Sequence, residues 1–302
     1  MENVLTIKDL SKRFGQQSVL NNVTLTIKKG EIYGLIGKNG AGKTTLIKVF
    51  TQLIQANQGN ISLFGSQTTQ EWTKTLGRIG SVIETPVAHN HLSARQNLIY
   101  YCKARHIPNA EEVADEVLTY VGLADVGPKK FKSFSLGMKQ RFGIALALIG
   151  KPDFLILDEP INGLDPLAIK EFRQLIKRLN EEQGITMLIS SHILSELYQV
   201  GNRFAIIEQG QIISEVSKAK FDAQSQDYII LKTPQIAEAS LVLKDTLQLQ
   251  IKVMESNEAI HIFGQSELIK DITRILVNEN IDIDEIYYKR QNLEHYFTQL
   301  VK

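Results

Sequence analysis

Apolar and polar positions alternate through Val4 to Ile7, Val19-Leu20 and Val23 to Ile27, with polar breaks at Lys12-Arg13 and Lys28-Lys29-Gly30. Alternation of this kind predicts short half-buried strands, an antiparallel start to the chain. The pattern then changes. Ile32 to Ile36 and Phe154 to Leu157 are unbroken apolar runs, and Met187 to Ile189 runs on into Ser190-Ser191-His192. Unbroken runs with polar residues at their C-terminal ends predict parallel strands buried on both faces. Ile61 to Gly65 and Ile79 to Glu84 also read as strands. Arg203 to Glu208 and Gln211 to Ser214 read as a hairpin around Gln209-Gly210.

Helical spacing takes over in between. Leu46, Ile47, Val49 and Phe50 follow the first unbroken run. From Ala94 to about Lys132 the period is helical, with Leu98, Tyr101 and Ala104 on one face and Val113, Val117, Leu118 and Val121 on another before the Gly122 break. This reads as a helical insert. Further helices are expected from Phe142 to Ile149 and from Pro166 to about Glu182. Beyond about Ser217 short runs resume in the order βαββαβ: strands at Tyr228 to Leu231, Leu249 to Val253, Ala259 to Phe263 and Ile283 to Tyr288, helices at Gln235 to Leu243 and Ser266 to Asn278. That order predicts a small ferredoxin-like domain, with a closing helix from Asn292 to Leu300. The expected boundaries are 1–217 for the larger domain and 218–302 for the smaller.

Composition narrows the classes. A chain of 302 residues carries 34 basic and 33 acidic residues, a net charge of +1, so nothing electrostatic points to a nucleic-acid partner. The single cysteine, Cys102, excludes a disulfide framework within one chain and fits a reducing compartment. The start of the chain lacks the basic and apolar regions of a secretory signal. The longest apolar stretch, Ile144 to Ile149, is too short to span a bilayer, so any membrane step is expected to need another polypeptide.

The candidate chemistry sits where the pattern switches from strand to helix. Gly37-Lys38-Asn39-Gly40-Ala41-Gly42-Lys43-Thr44 lies between the Ile32 to Ile36 run and the first helical run. Gly37, Gly40 and Gly42 leave room for backbone N–H groups to wrap a triphosphate. Lys43 supplies a point charge, Thr44 a hydroxyl for Mg²⁺, Thr45 a second hydroxyl, and the helix N-terminus favours the anion. Downstream of such a loop, Asp158 is placed for Mg²⁺ and Glu159 for activating water. His192, at the tip of another buried run, is a candidate for the γ-phosphate end. Phe14 is a candidate stacking face for a nucleobase. Ser135 reads as the N-cap of the Phe142 helix. His89, His91 and the basic run Lys129 to Lys132 read as solvated surface, and the i,i+4 pair His192 and Glu196 lacks a third metal ligand.

Taken in order, these stretches resemble the ATP-binding subunit of an ABC transporter over residues 1 to 217. The resemblance implies a phosphate-loop α/β core with an antiparallel β subdomain and a helical subdomain. Gly37 to Thr45 match the Walker A loop and Phe154 to Glu159 the Walker B strand. Glu159 falls at the general base, Asp165 in the D-loop, His192 at the switch histidine, Phe14 at the adenine-stacking aromatic, and Ser135 to Met138 in the signature. Leu136 and Met138 stand where the usual signature has Gly and Gln, and Glu84 stands where most members have a metal-contacting glutamine. Both departures resemble the bacitracin-type and lantibiotic-immunity branch of exporters. The family pattern implies ATP and Mg²⁺ as cofactors, a second ATP-binding domain in a homodimer, and a location on the inner face of the membrane through an integral-membrane permease. The expected function is ATP hydrolysis driving export of an antimicrobial peptide or drug. The alternatives are a soluble ATPase of the same family acting on ribosomes or DNA, and a nucleotide sensor that does not hydrolyse. Nothing in the 218–302 segment gathers His, Cys or paired carboxylates, so it reads as a packing, dimerisation or regulatory module.

Overall fold

A computed structural model of the chain describes residues 2–66, 69–224, 228–247, 249–254, 259–264 and 266–289. It divides into two units, 1–218 and 219–302. In the first, residues up to 63 form β1 (Asn3–Phe14), β2 (Gln17–Lys28), β3 (Ile32–Ile36), α1 (Lys43–Phe50) and β4 (Gln58–Leu63). The short segments expected before Ile27 are in fact two long strands of 12 residues each. Their pairing slips between Ile7 and Leu10 and again near Lys12, with Asp9 and Asn22 at positive φ. Each bulge resets which face a side chain takes, so a continuous strand loses its period of two. β1 is the middle strand of an antiparallel sheet ordered β2-β1-β4.

The next elements are α2 (Thr69–Leu76), β5 (Ile79–Val82), α3 (Ala94–Ala104), α4 (Ala110–Tyr120) and α5 (Leu136–Leu148). The strand expected to reach Glu84 stops at Val82, and Glu84 takes a left-handed backbone at φ 62°. The helical insert is α3 and α4 followed by two single 3₁₀ turns, so regular helix ends at Tyr120 rather than near Lys132. α3 begins with a reciprocal cap: the Gln96 amide N–H donates to the Ser93 hydroxyl, and the Ser93 N–H donates to the Gln96 side chain. Completing the unit are β6 (Phe154–Asp158), α6 (Pro166–Gln183), β7 (Thr186–Ser191), α7 (Leu194–Tyr198), β8 (Arg203–Glu208) and β9 (Gln211–Ser217).

The larger sheet runs β5-β6-β7-β3-β8-β9. Its first five strands are parallel and β9 folds back antiparallel on β8. In one core, Leu5, Ile7 and Leu25 of the small sheet meet Leu46, Ile47 and Phe50 of α1 and Leu35, Phe154 and Ile156 of the large sheet. α1 is therefore clamped between two sheets, which fixes the loop ahead of it. Tyr33 belongs to this core and is fully buried, its hydroxyl donating to Glu215 at 2.7 Å, while Arg203 pairs with Glu215 and Glu31. Burial, then the Glu215 charge, hold the Tyr33 phenol well above its ordinary range.

The β8–β9 turn is built on Gln209 and Gly210, at φ 46° and 77°, the two positive values a tight two-residue hairpin requires. The Gly210 N–H donates to the Ala41 carbonyl of the phosphate loop, and its own carbonyl accepts from Asn21. A Cβ on Gly210 would lie 2.2 Å from the Val19 carbonyl oxygen.

α8 (Lys218–Gln224) begins at the last residue of the first unit, and the second unit goes on through β10 (Tyr228–Lys232), α9 (Ile236–Leu247), β11 (Ile251–Met254), β12 (Ala259–Phe263), α10 (Leu268–Asn278) and β13 (Glu285–Lys289). The sheet order is β11-β12-β10-β13 and every pair is antiparallel, the ferredoxin-like arrangement. Ile229, Leu231, Ile260 and Ile262 on one face pack against Ala239 and Leu243 of α9 and Ile272 and Leu276 of α10. The helix expected at Asn292 to Leu300 lies outside the described residues.

Candidate functional site

Parallel pairing puts the C-terminal ends of β3, β6 and β7 side by side, with Asp158 opposite Ser190 and Ile36 opposite Ser191. The loop leaving β3 starts with Gly37, whose N–H donates to the Ser191 carbonyl and whose Cβ, if present, would stand 2.5 Å from the Ile207 carbonyl oxygen. Gly42, at φ 109°, is held against Leu20 and Val19 of β2. Asn39 and Gly40 remain exposed at the rim.

Lys43 opens α1 and is only 5 % exposed. Its ammonium donates to the Gly37 and Lys38 carbonyls at 2.6 and 3.2 Å and pairs with Glu159 Oε1 at 3.0 Å. The other oxygen of Glu159 meets His192 Nδ1 at 2.8 Å. An ionised carboxylate only accepts, so Nδ1 carries the hydrogen in this contact. Thr44 donates its hydroxyl to Asp158 Oδ2 at 2.7 Å, and Thr45 follows half-buried.

The structure thus brings Lys43, Thr44, Asp158, Glu159 and His192 into one connected cluster. It also adds a residue that sequence reasoning passed over: Ser190, fully buried, donates to Asp158 Oδ1 at 2.5 Å and accepts from the Glu159 N–H at 2.9 Å. The signal for it was the hydroxyl pair ending an otherwise apolar run, read there only as a polar strand tip.

Other candidates lie apart from that cluster. The Glu84 carboxylate is engaged by Lys48 Nζ at 2.6 Å rather than by Thr44 or Asp158. Phe14 is half exposed at the end of β1, with Lys12 Nζ 4.9 Å from its ring centre. Ser135 and Asp165 cap helices: Ser135 Oγ accepts from Met138 N at 3.3 Å and Asp165 Oδ1 from Ala168 N at 2.9 Å. Together with Leu136, Gly137 and Met138 they line an open cavity of about 310 Å³ whose lining includes no residue of the phosphate loop. His89 meets Tyr100 edge-on and stacks on Tyr101, and Glu196 faces Arg173. Among the described residues no group of three His, Cys, Asp or Glu side chains could hold a metal, and no helix is long and apolar enough to cross a membrane.

A glycine-lined loop between a buried parallel strand and a helix, with two carboxylates at the tip of a neighbouring strand, defines a phosphate-loop nucleotide hydrolase. Comparison with known proteins carries this further. A family model described as "ABC transporter" matches residues 20–162. The bacitracin transport ATP-binding protein BcrA of Bacillus licheniformis is 36% identical over 301 residues, covering 100% of this chain and 98% of that protein. The lantibiotic transport ATP-binding protein SrtF of Streptococcus pyogenes is 43% identical over 213 residues, 70% of this chain and 90% of that one. Among solved structures, the dimeric post-hydrolysis state of the ATP-binding cassette MJ0796 with ADP and Pi superposes with a TM-score of 0.62 at 26% identity, covering 71% of this chain and 98% of that one. The chain belongs to the ABC transporter family and carries its ATP-binding domain.

Proposed function

We propose that this chain hydrolyses ATP to energise export of an antimicrobial peptide or drug, of the bacitracin or lantibiotic kind, through a separate integral-membrane permease. It acts on the cytoplasmic face of the membrane as one of two nucleotide units. The names of its relatives support the cargo class. The observation that carries the chemistry is the chain of contacts from Lys43 through Glu159 to His192 across the phosphate loop.

In this reading Phe14 stacks on the base. The N–H groups of Asn39, Gly40, Gly42, Lys43, Thr44 and Thr45 take the phosphates, and Lys43 exchanges Glu159 for phosphate oxygen as nucleotide arrives. Glu159, released, orients water and accepts its proton, while His192 holds the γ-phosphate end. Thr44 and Asp158, two oxygen donors already in contact, fit Mg²⁺, which when bound neutralises charge on the transferring phosphoryl group. Glu84 is a further oxygen donor once it leaves Lys48. Catalysis comes from position and charge, with no covalent step in the protein. Following the family pattern, Ser135, Gly137 and Asp165 serve the nucleotide held by the second copy, a reading supported by their lining a cavity that includes no residue of this chain's phosphate loop.

Glu159→Gln tests the reading. The variant binds ATP like the parent but turns over at least about a hundredfold more slowly. Near-normal hydrolysis would remove the assignment of Glu159. Solubilised from its own cells with ATP and Mg²⁺, the same variant co-purifies with a polytopic membrane protein. Recovery of ribosomal proteins or DNA instead would overturn the transport reading.

A further inference from the structure

We infer that Ser190 is a positioning residue for hydrolysis, holding the two carboxylates of the site in their working orientations through one hydroxyl. The inference rests on the proposed roles of Asp158 and Glu159.

A serine in a buried strand has its backbone groups satisfied by the sheet, and its hydroxyl must find a partner among whatever surrounds it. Here that partner is not a nearby carbonyl of its own strand. Ser190 sits opposite Asp158 in the β6–β7 register, so its side chain reaches the tip of the neighbouring strand. The hydroxyl has one hydrogen to give and lone pairs to accept with. The hydrogen goes to Asp158 Oδ1 at 2.5 Å, and the lone pair takes the N–H of the next residue, Glu159, at 2.9 Å.

Each of these contacts constrains a different part of the site. Asp158 is gripped on Oδ1 by Ser190 and on Oδ2 by Thr44, so the plane of its carboxylate is fixed from both sides. Of these two hydroxyls only Thr44 lies on the phosphate-loop helix, so Ser190 keeps Asp158 aimed at Thr44 when the latter turns to a cation. Glu159 sits at φ 49°, a left-handed backbone that residues with side chains rarely adopt. That turn sends its carboxylate toward Lys43 and His192, and the N–H bond to Ser190 is the side-chain contact that pins it there. Partners that orient a metal-binding carboxylate are worth about 10–100-fold in metal affinity or activity.

The test uses the full chain with Ser190→Ala, Ser190→Thr and Ser190→Cys, and Glu159→Gln alongside. Ser190→Ala is expected to need about tenfold more Mg²⁺ for half-maximal hydrolysis and to show the same weakening of Mn²⁺ binding, read by electron paramagnetic resonance in the presence of ATP. Binding of a fluorescent ATP analogue without divalent metal stays at the parental value. Ser190→Thr, which keeps the hydroxyl, restores both metal readouts. Parental Mn²⁺ binding in Ser190→Ala, or equal impairment of the Ala and Thr variants, would overturn the inference. If Ser190→Ala does not fold, Ser190→Cys, similar in size but a weak hydrogen-bonding group, shows the same metal shift, and its absence counts against the inference. An active Glu159→Gln would instead defeat the underlying reading of the site. An inactive Glu159→Gln beside a parental Ser190→Ala leaves that reading standing and removes only the role of Ser190.

Discussion

The two units of the chain are both sheets covered by helices, yet in the described residues only one gathers chemistry. In the 1–218 unit the strands β3, β6 and β7 run parallel, so Gly37, Asp158-Glu159 and Ser190 to His192 all emerge along one edge. In the 219–302 unit every strand pairing among the described residues is antiparallel. Lys232, at the C-terminal end of β10, stands opposite Ala259 at the start of β12. Successive strand ends there point to opposite edges, and polar tips do not accumulate. Parallel direction thus lets the tips of β3, β6 and β7 converge, which an antiparallel sheet does not allow.

The ion pair at the site differs from pairs at the surface of either unit, such as Arg95–Asp115 in the first. Lys43–Glu159 has side chains 5 % and 20 % exposed, against 39 % and 52 % for Lys232–Glu285 on the antiparallel sheet. The loss of at least about a hundredfold expected for Glu159→Gln is the largest effect that separates the units. Next comes Ile260→Ala, which empties a fully buried position of the small core. It should weaken the 219–302 unit by about 2–5 kcal/mol in urea denaturation followed by circular dichroism. Hydrolysis by the folded variant should stay within about twofold of the parent. A collapse of the rate would show that the small unit takes part in turnover.

The buried phenol of Tyr33 gives a smaller effect. Its folded pKa lies above the unfolded value near 10, so its contribution is complete below that pH and is lost as pH rises beyond it. The expected slope is about 1.4 kcal/mol per pH unit for the 1–218 unit. Tyr33→Phe should flatten that alkaline limb, and an unchanged limb would contradict the burial argument. The smallest effect is that of Glu285→Gln, the same substitution as at Glu159 but on an exposed pair. Thermal midpoint and hydrolysis rate should both be unmoved, as is usual for surface ion pairs. A measurable loss of rate there would break the comparison.

Legibility in the sequence followed the same division. Unbroken apolar runs ending in polar residues located β3, β6 and β7, because a strand buried on both faces leaves no alternation to misread. β1 and β2 fragment on reading because bulges at Asp9 and Asn22 scramble the period, a backbone event whose one mark is an Asp or Asn that tolerates positive φ. The loop glycines, Lys43, Thr44, Asp158, Glu159 and His192 were legible from spacing, whereas Ser190 was not, since its importance lies in a register partner on another strand. The engagement of Glu84 by Lys48 was likewise invisible, being a contact between residues 36 apart.

The hairpin turn at Gln209-Gly210 carries one more consequence. Exposed turns of small residues are where chains ordinarily tolerate insertions, which makes them the usual choice for an epitope tag or a fluorescent fusion. This turn is a poor choice. Its Gly210 backbone is bonded to Ala41 and wedged against Val19, so cargo spliced in at 209–210 pulls directly on the phosphate loop. A reporter placed there is expected to weaken nucleotide binding by the protein it was meant to follow.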